Sequence, residues 1–173
     1  MTTDQLKALV RDVPDFPEAG IIFKDLMPLI GNAAAFHSTV DHLAEWTRPR
    51  NPDVILGAEA RGFIFGGALA YELGCGFVPA RKPGKLPWET VRETYDLEYG
   101  TDSLEVHADA FPTGARVIVL DDVLATGGTA RAKVDLVARL GGEVVGALFV
   151  IELAFLDGRE RLAGTDVHAL IAY

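Results

Sequence analysis

Two aspartates stand side by side ahead of a glycine- and threonine-rich turn in the stretch VIVLDDVLATGGTARA, residues 117–132. The apolar run Val117–Leu120 predicts a strand, and Thr129–Leu140 predicts the helix that follows. At such a turn the first backbone N–H groups of the helix lack partners, and the helix dipole favours an anion. Gly127 and Gly128 let the backbone approach a ligand closely, while Thr126 and Thr129 offer hydroxyl donors. A phosphate monoester fits this turn; so does an ordinary strand–helix connection with a threonine cap. It is neither a Walker A loop, which needs a lysine before its last Ser/Thr, nor a G-x-G-x-x-G dinucleotide turn. Asp121 and Asp122 repel phosphate, but carboxylates accept hydrogen bonds from sugar hydroxyls and hold the waters around Mg2+. Acids followed by this turn describe a ribose 5-phosphate site, its ligand carrying a phosphate at one end and a metal-associated diol in the middle.

These side chains are useful only if the fold brings them together. VILG (54–57), FVPA (77–80), VIVL (117–120), 144–153 and 167–172 read as strands, with helices over 62–73 and 129–140. Gly74 and Gly141-Gly142 are suited to end those helices. Near-continuous Val, Ile and Leu in strands that alternate with helices predicts a parallel sheet covered on both faces. In such sheets ligands bind at the carboxyl ends of the strands. The chemistry-bearing residues fall there: Glu59–Arg61 after one strand, Arg81–Lys85 after another, and Asp121–Thr129 after a third.

The N-terminal part is less regular. Thr2-Thr3-Asp4 caps a short predicted helix with Leu6, Leu9, Val10 and Val13 on one face, and Gly20–Phe23 reads as a short strand. Asn32 caps a second helix carrying Phe36, Val40, Leu43 and Ala44, broken by RPRNP. The polar segment Lys82–Ser103 alternates at Tyr95, Leu97 and Tyr99, as expected for a hairpin or flap. A long polar loop inside a compact domain is usually functional or disordered.

Composition excludes several classes of function. With 173 residues, 49% of them hydrophobic, the chain is expected to form a single domain spanning 1–173. A net charge of −9 disfavours a general binder of nucleic acid or anionic membrane. The longest apolar run, VVGALFVI, is too short to span a membrane, and the first residues carry charge where a signal peptide needs apolar ones. A cytoplasmic location is expected. Cys75 cannot form an intrachain disulfide and reads as a small packed side chain. The four histidines show no metal-ligand spacing.

The stretch LDDVLATGGT resembles the 5-phosphoribosyl 1-pyrophosphate (PRPP) motif of the type I phosphoribosyltransferases. FPEAGIIFKD, GAEARGFIFG, VPARKPGKLP, ETYDLEYGTDSLEVH and IELAFLDGRERL extend the likeness over nearly the whole chain, in the order of the branch whose acceptor base is adenine. The resemblance implies an α/β fold with a parallel sheet flanked by helices, a small N-terminal hood and a flexible hairpin loop. It implies an enzyme of purine salvage that transfers the 5-phosphoribosyl group from PRPP to adenine, giving AMP and pyrophosphate, and that works as a homodimer. Mg2+ would come with PRPP, held through substrate oxygens and water and by no dedicated protein cage.

By the same resemblance, Ala125, Thr126, Gly127, Gly128 and Thr129 hold the 5-phosphate, and Asp121 and Asp122 meet the ribose hydroxyls. Arg61, Arg81, Lys82 and Lys85 meet the pyrophosphate, the last three from the same or the partner subunit. Ile22 and Phe23 form the adenine site together with Lys24, where arginine is usual; lysine keeps the charge and loses the planar fork, which leaves its role open. Glu98, in DLEYG, is the acid brought over the reacting centre, either to stabilise positive charge on the sugar or to take a proton from the base. Two alternatives share the motif: a phosphoribosyltransferase for another base, such as xanthine or orotate, and a catalytically silent PRPP-binding regulator. The acidic chain offers no basic face for a regulator that binds nucleic acid.

Overall fold

The computed structural model describes residues 1–96 and 100–173, which form two compact units, Met1–His42 and Leu43–Tyr173. In the first unit, helix α1 (Thr3–Lys7) is closed by a capping box between Thr2 and Gln5. Strands β1 (Arg11–Pro14) and β2 (Ile22–Asp25) pair antiparallel, with Val13 opposite Phe23. Val13 therefore lies on a strand, whereas its spacing predicts a place on the face of α1. The residue before a proline is pushed out of the helical region, and Pro14 follows it. A short helix α2 (Met27–Ile30) precedes α3 (Ala33–Thr47), whose first turn is capped where expected, Asn32 Oδ1 accepting from the Ala35 N–H at 3.0 Å.

The second unit is built on a parallel five-stranded sheet in the order β4-β3-β7-β8-β9. Its strands are β3 (Val54–Ala58), β4 (Gly76–Ala80), β7 (Arg116–Leu124), β8 (Glu143–Glu152) and β9 (Val167–Ala172). Helices α4 (Arg61–Leu73) and α5 (Gly128–Arg139) form two of the crossovers. The chain leaves β3 toward β4 on one side and β7 toward β8 on the other, so a topological switch point opens between the carboxyl ends of β3 and β7. Leu56, Val117, Val119, Leu136, Val137 and Phe149 belong to one buried cluster, which packs α5 against the sheet.

The polar segment after β4 forms the expected hairpin, β5 (Thr90–Asp96) with β6 (Thr101–His107). It is tied to the sheet by reciprocal backbone hydrogen bonds between Arg81 and Glu105, at 2.9 and 2.7 Å. Glu105 is almost wholly buried, and its carboxylate accepts from Arg92 at 2.9 and 2.6 Å and from the Gly84 N–H at 3.0 Å. The Arg92 guanidinium first, then the Gly84 N–H, hold the Glu105 carboxyl below its usual value. A carboxyl depressed in the folded state stabilises the fold above its unfolded pKa and loses that contribution as pH falls through the folded value. Glu105→Gln should lower the melting temperature by roughly 3–6 °C at neutral pH. The difference from the parent protein should close in melts carried below about pH 4, the glutamate range. A difference that stayed constant from neutral pH into the acid range would remove the ionised carboxylate from the account.

Candidate active site

The switch point holds a cleft of about 280 Å3 lined by the ends of β3 and β7, the turn into α5, and the hairpin. Strand β7 runs on to Leu124, four residues beyond the predicted end, because it pairs with β8 as far as Glu152. Asp121 and Asp122 thus belong to a strand and point to opposite sides of its pleat, yet both line the cleft. Gly127 is left-handed, with φ 83°, and α5 begins at Gly128. The predicted ligand turn 125–129 lines the cleft throughout, together with Arg61 and Lys82.

Every acid in the lining has a cation. Asp121 accepts from the fully buried Lys133 at 2.7 Å, and Asp122 is paired with Arg61 Nε. Burial pushes the Asp121 carboxyl up to about 6; the Lys133 ammonium pulls it back, and the neighbouring Asp122 adds to the rise. Glu59 accepts from Arg81 Nε at 2.9 Å and from the Lys82 N–H at 2.6 Å. Burial works to raise Glu59, but those two donors outweigh it and hold the carboxyl below its usual value. Asp102, on the hairpin, is paired with Lys82. There too burial works upward and is outweighed, by Lys82 and by the Ser103 N–H. The Tyr95 hydroxyl joins the same group, donating to Asp102 at 3.2 Å and accepting from Thr129 Oγ1 at 3.2 Å. Burial first of all raises the Tyr95 hydroxyl, which keeps it a donor.

Two of the four predicted cations lie outside the lining. Arg81 is turned to Glu59 and to the Lys85 carbonyl, which accepts from it at 3.2 Å. The segment predicted for adenine sits on the first unit's hairpin. There Ile22 is 56% exposed, Phe23 meets Phe16 edge-on at 5.2 Å, and Lys24 is paired with Asp12 at 2.6 Å. Glu98 lies outside the described residues. Cys75 is half-buried and its thiol is raised by burial, in keeping with a packed side chain.

Tyr95, Asp102, Lys133 and Gly158 are not marked as site residues by the sequence, whereas Glu59 is marked together with Arg61 at the end of its strand and does line the cleft. Lys133 leaves a signal, because it shares a helical face with Ala130, Leu136 and Val137, all buried. Gly158 leaves none. It follows β8, and a Cβ on it would stand 2.1 Å from the Ala125 carbonyl oxygen; one on Gly127 would stand 2.4 Å from the Gly158 oxygen. The turn is thus braced from behind by a segment far later in the chain.

Among known proteins, the phosphoribosyl transferase domain family matches residues 30–167. An adenine phosphoribosyltransferase of Solibacter usitatus is 58% identical over 168 residues, covering 97% of each chain. The crystal structure of adenine phosphoribosyltransferase from Thermoanaerobacter pseudethanolicus superposes with a TM-score of 0.97 at 52% identity, covering 99% of this chain and 100% of its own. That of the Saccharomyces cerevisiae enzyme, complexed with D-2,5-dideoxy-2,5-imino-altritol 1,6-bisphosphate and adenine, gives a TM-score of 0.92 at 42% identity and 97% coverage of both chains. The chain belongs to the phosphoribosyl transferase family and, within it, to the adenine phosphoribosyltransferases.

Gly158→Ala tests how the turn is built. The added methyl cannot fit without moving the Ala125 carbonyl. Affinity for AMP should therefore fall on the order of tenfold, since ligand-orienting geometry lost in a supporting layer commonly costs that much. Calorimetry that returned the parent affinity would show that the bracing is incidental.

Proposed function

We propose that the chain salvages adenine, transferring the 5-phosphoribosyl group of PRPP to the base and releasing AMP and pyrophosphate. The observation that carries this is the cleft at the switch point, where adjacent acids, a glycine turn at a helix N-terminus and two cations meet. The yeast relative, which holds a bisphosphate and adenine together, supports the pairing of substrates.

In this reading Ala125–Thr129 take the 5-phosphate through the N–H groups that open α5, and Asp121 and Asp122 accept from the ribose hydroxyls. Arg61 and Lys82, with Arg81 and Lys85 behind them, meet the pyrophosphate. Neutralising that leaving group is the largest part of the catalysis, because the bond to the sugar breaks as negative charge collects on it. Mg2+ enters as part of the substrate. Among the described residues no three His, Cys, Asp or Glu side chains converge to hold a metal, and the adjacent Asp121 and Asp122 already have cations. Phe23 offers its ring to adenine and Ile22 its backbone edge, with Lys24 fastened to Asp12 in support of that strand. Glu98 rests on the sequence alone and acts at the sugar or at the attacking base. The enzyme works as a homodimer in the cytoplasm, as a single domain of 173 residues. Among the described residues no helix is long and apolar enough to cross a membrane.

The test is incubation with PRPP and each of adenine, hypoxanthine, guanine, xanthine and orotate, with and without Mg2+, following nucleotide formation. Adenine should be used at least a hundredfold better than the 6-oxopurines, because groups that pair with an exocyclic amine are left unpaired by a carbonyl. Chelation should abolish turnover. Comparable use of hypoxanthine would overturn the base assignment, and preference for xanthine or orotate would replace it. Glu98→Gln should lower turnover by about 10²–10⁴-fold, the range of a positioned acid–base group, with the dissociation constant of PRPP nearly unchanged. If PRPP affinity fell as far as turnover, Glu98 would be a binding residue instead.

A further inference from the structure

Lys133 has no exposed side-chain surface, and the proposed chemistry does not use it. Its ammonium donates to Asp121 Oδ2 at 2.7 Å and to the Leu120 carbonyl at 2.8 Å, from the buried face of α5. Taking an ammonium out of water is costly, and buried ion pairs often stabilise a fold no better than apolar residues of the same size. Packing alone would be served by leucine or methionine, so the reason for a lysine lies in what its charge does to Asp121.

That carboxylate is held from several sides. Oδ1 accepts from the Asp122 N–H at 3.0 Å, and Oδ2 takes Lys133. Gly62, in the first turn of α4, comes so close that a Cβ there would stand 2.9 Å from Oδ1. Each oxygen is left with lone-pair capacity, and Asp121 lines the cleft. The pleat of β7 puts Asp121 on the same side as Val117 and Val119, which pack with α5. A carboxylate in this position needs a donor from the α5 side to fix its plane, and a long side chain from the second turn of that helix reaches it.

We propose that Lys133 is a positioning residue for the sugar, its buried ammonium fixing the Asp121 carboxylate so that the remaining lone pairs face a ribose hydroxyl. The proposal rests on the reading that the cleft aspartates meet the ribose. The charge has a second effect. It offsets one of two adjacent carboxylates beside a turn built for phosphate, and thereby lets both aspartates stay in the cleft together.

The experiment is calorimetry with AMP and with 2′,3′-dideoxy-AMP, which keeps the phosphate and base and lacks both hydroxyls. The parent protein should bind AMP more tightly than the dideoxy nucleotide. Lys133→Met should weaken AMP on the order of tenfold, the usual cost of losing a group that orients a ligand-bearing side chain, and leave dideoxy-AMP within about twofold. Lys133→Gln, which retains a donor, should lose less, and it carries the comparison if the methionine variant does not fold. In an Asp121→Asn background, Lys133→Met should cost nothing further for AMP. Equal losses for both nucleotides, or a full loss that persists in the Asp121→Asn background, would overturn the proposal and make Lys133 a packing element. A parent protein that does not distinguish the two nucleotides would instead overturn the ribose reading on which the proposal stands.

Discussion

The cleft depends on one electrostatic constraint: adjacent carboxylates must stand beside a helix N-terminus suited to an anion, where, in the proposed reading, they grip a sugar without repelling its phosphate. In a region partly shielded from water two like charges side by side cost far more than on an exposed surface. The chain meets the constraint by giving each acid its own cation from a different element. Lys133 of α5 pairs with Asp121, Arg61 of α4 with Asp122, Arg81 beyond β4 with Glu59, and Lys82 with Asp102 of the hairpin. The net charge of −9 is therefore a property of the whole surface, and the site is close to neutral in itself. These pairs also join elements, so the geometry of the cleft and its charge balance are set together.

Most of the parallel sheet is legible in the sequence, because buried parallel strands are near-continuous runs of Val, Ile and Leu, and glycine marks the helix ends. Asp121–Thr129 is legible as a site for a related reason: acids and glycines right after an apolar strand break the pattern and demand an explanation. What escapes depends on distance in the chain. Gly158 braces the turn from far along the sequence, and nothing in LDGRERL announces that it touches Ala125. The spacing of Val13 points to a helix face, although Pro14 argues for a strand. The aspartates place the end of β7 too early because such residues are rare in strands; pairing with β8 overrides that preference. Lys133 belongs to no motif, although the helical period places it among buried neighbours.

The same pairing limits what an incoming anion gains. Lys82 is already matched by Asp102, so a pyrophosphate that draws it away exchanges one ion pair for another. Exchanges of partly exposed pairs are worth about 0–1 kcal/mol, and a single anionic group therefore gains little at this point. A ligand that also fills the 125–129 turn and meets Arg61 gathers several contacts in one event, with the entropy of association spent only once. Discrimination for a ligand with phosphate groups at two ends then follows from geometry, without any one contact being strong. Tyr95 carries the exchange to the hairpin, since its hydroxyl bridges Asp102 and Thr129. Anything that moves Asp102 from Lys82, or takes the Thr129 hydroxyl, removes one of the two bonds holding that tyrosine. In the proposed reading, an anion that fills the 125–129 turn and draws on Lys82 would therefore act on the β5–β6 hairpin through Thr129, Tyr95 and Asp102.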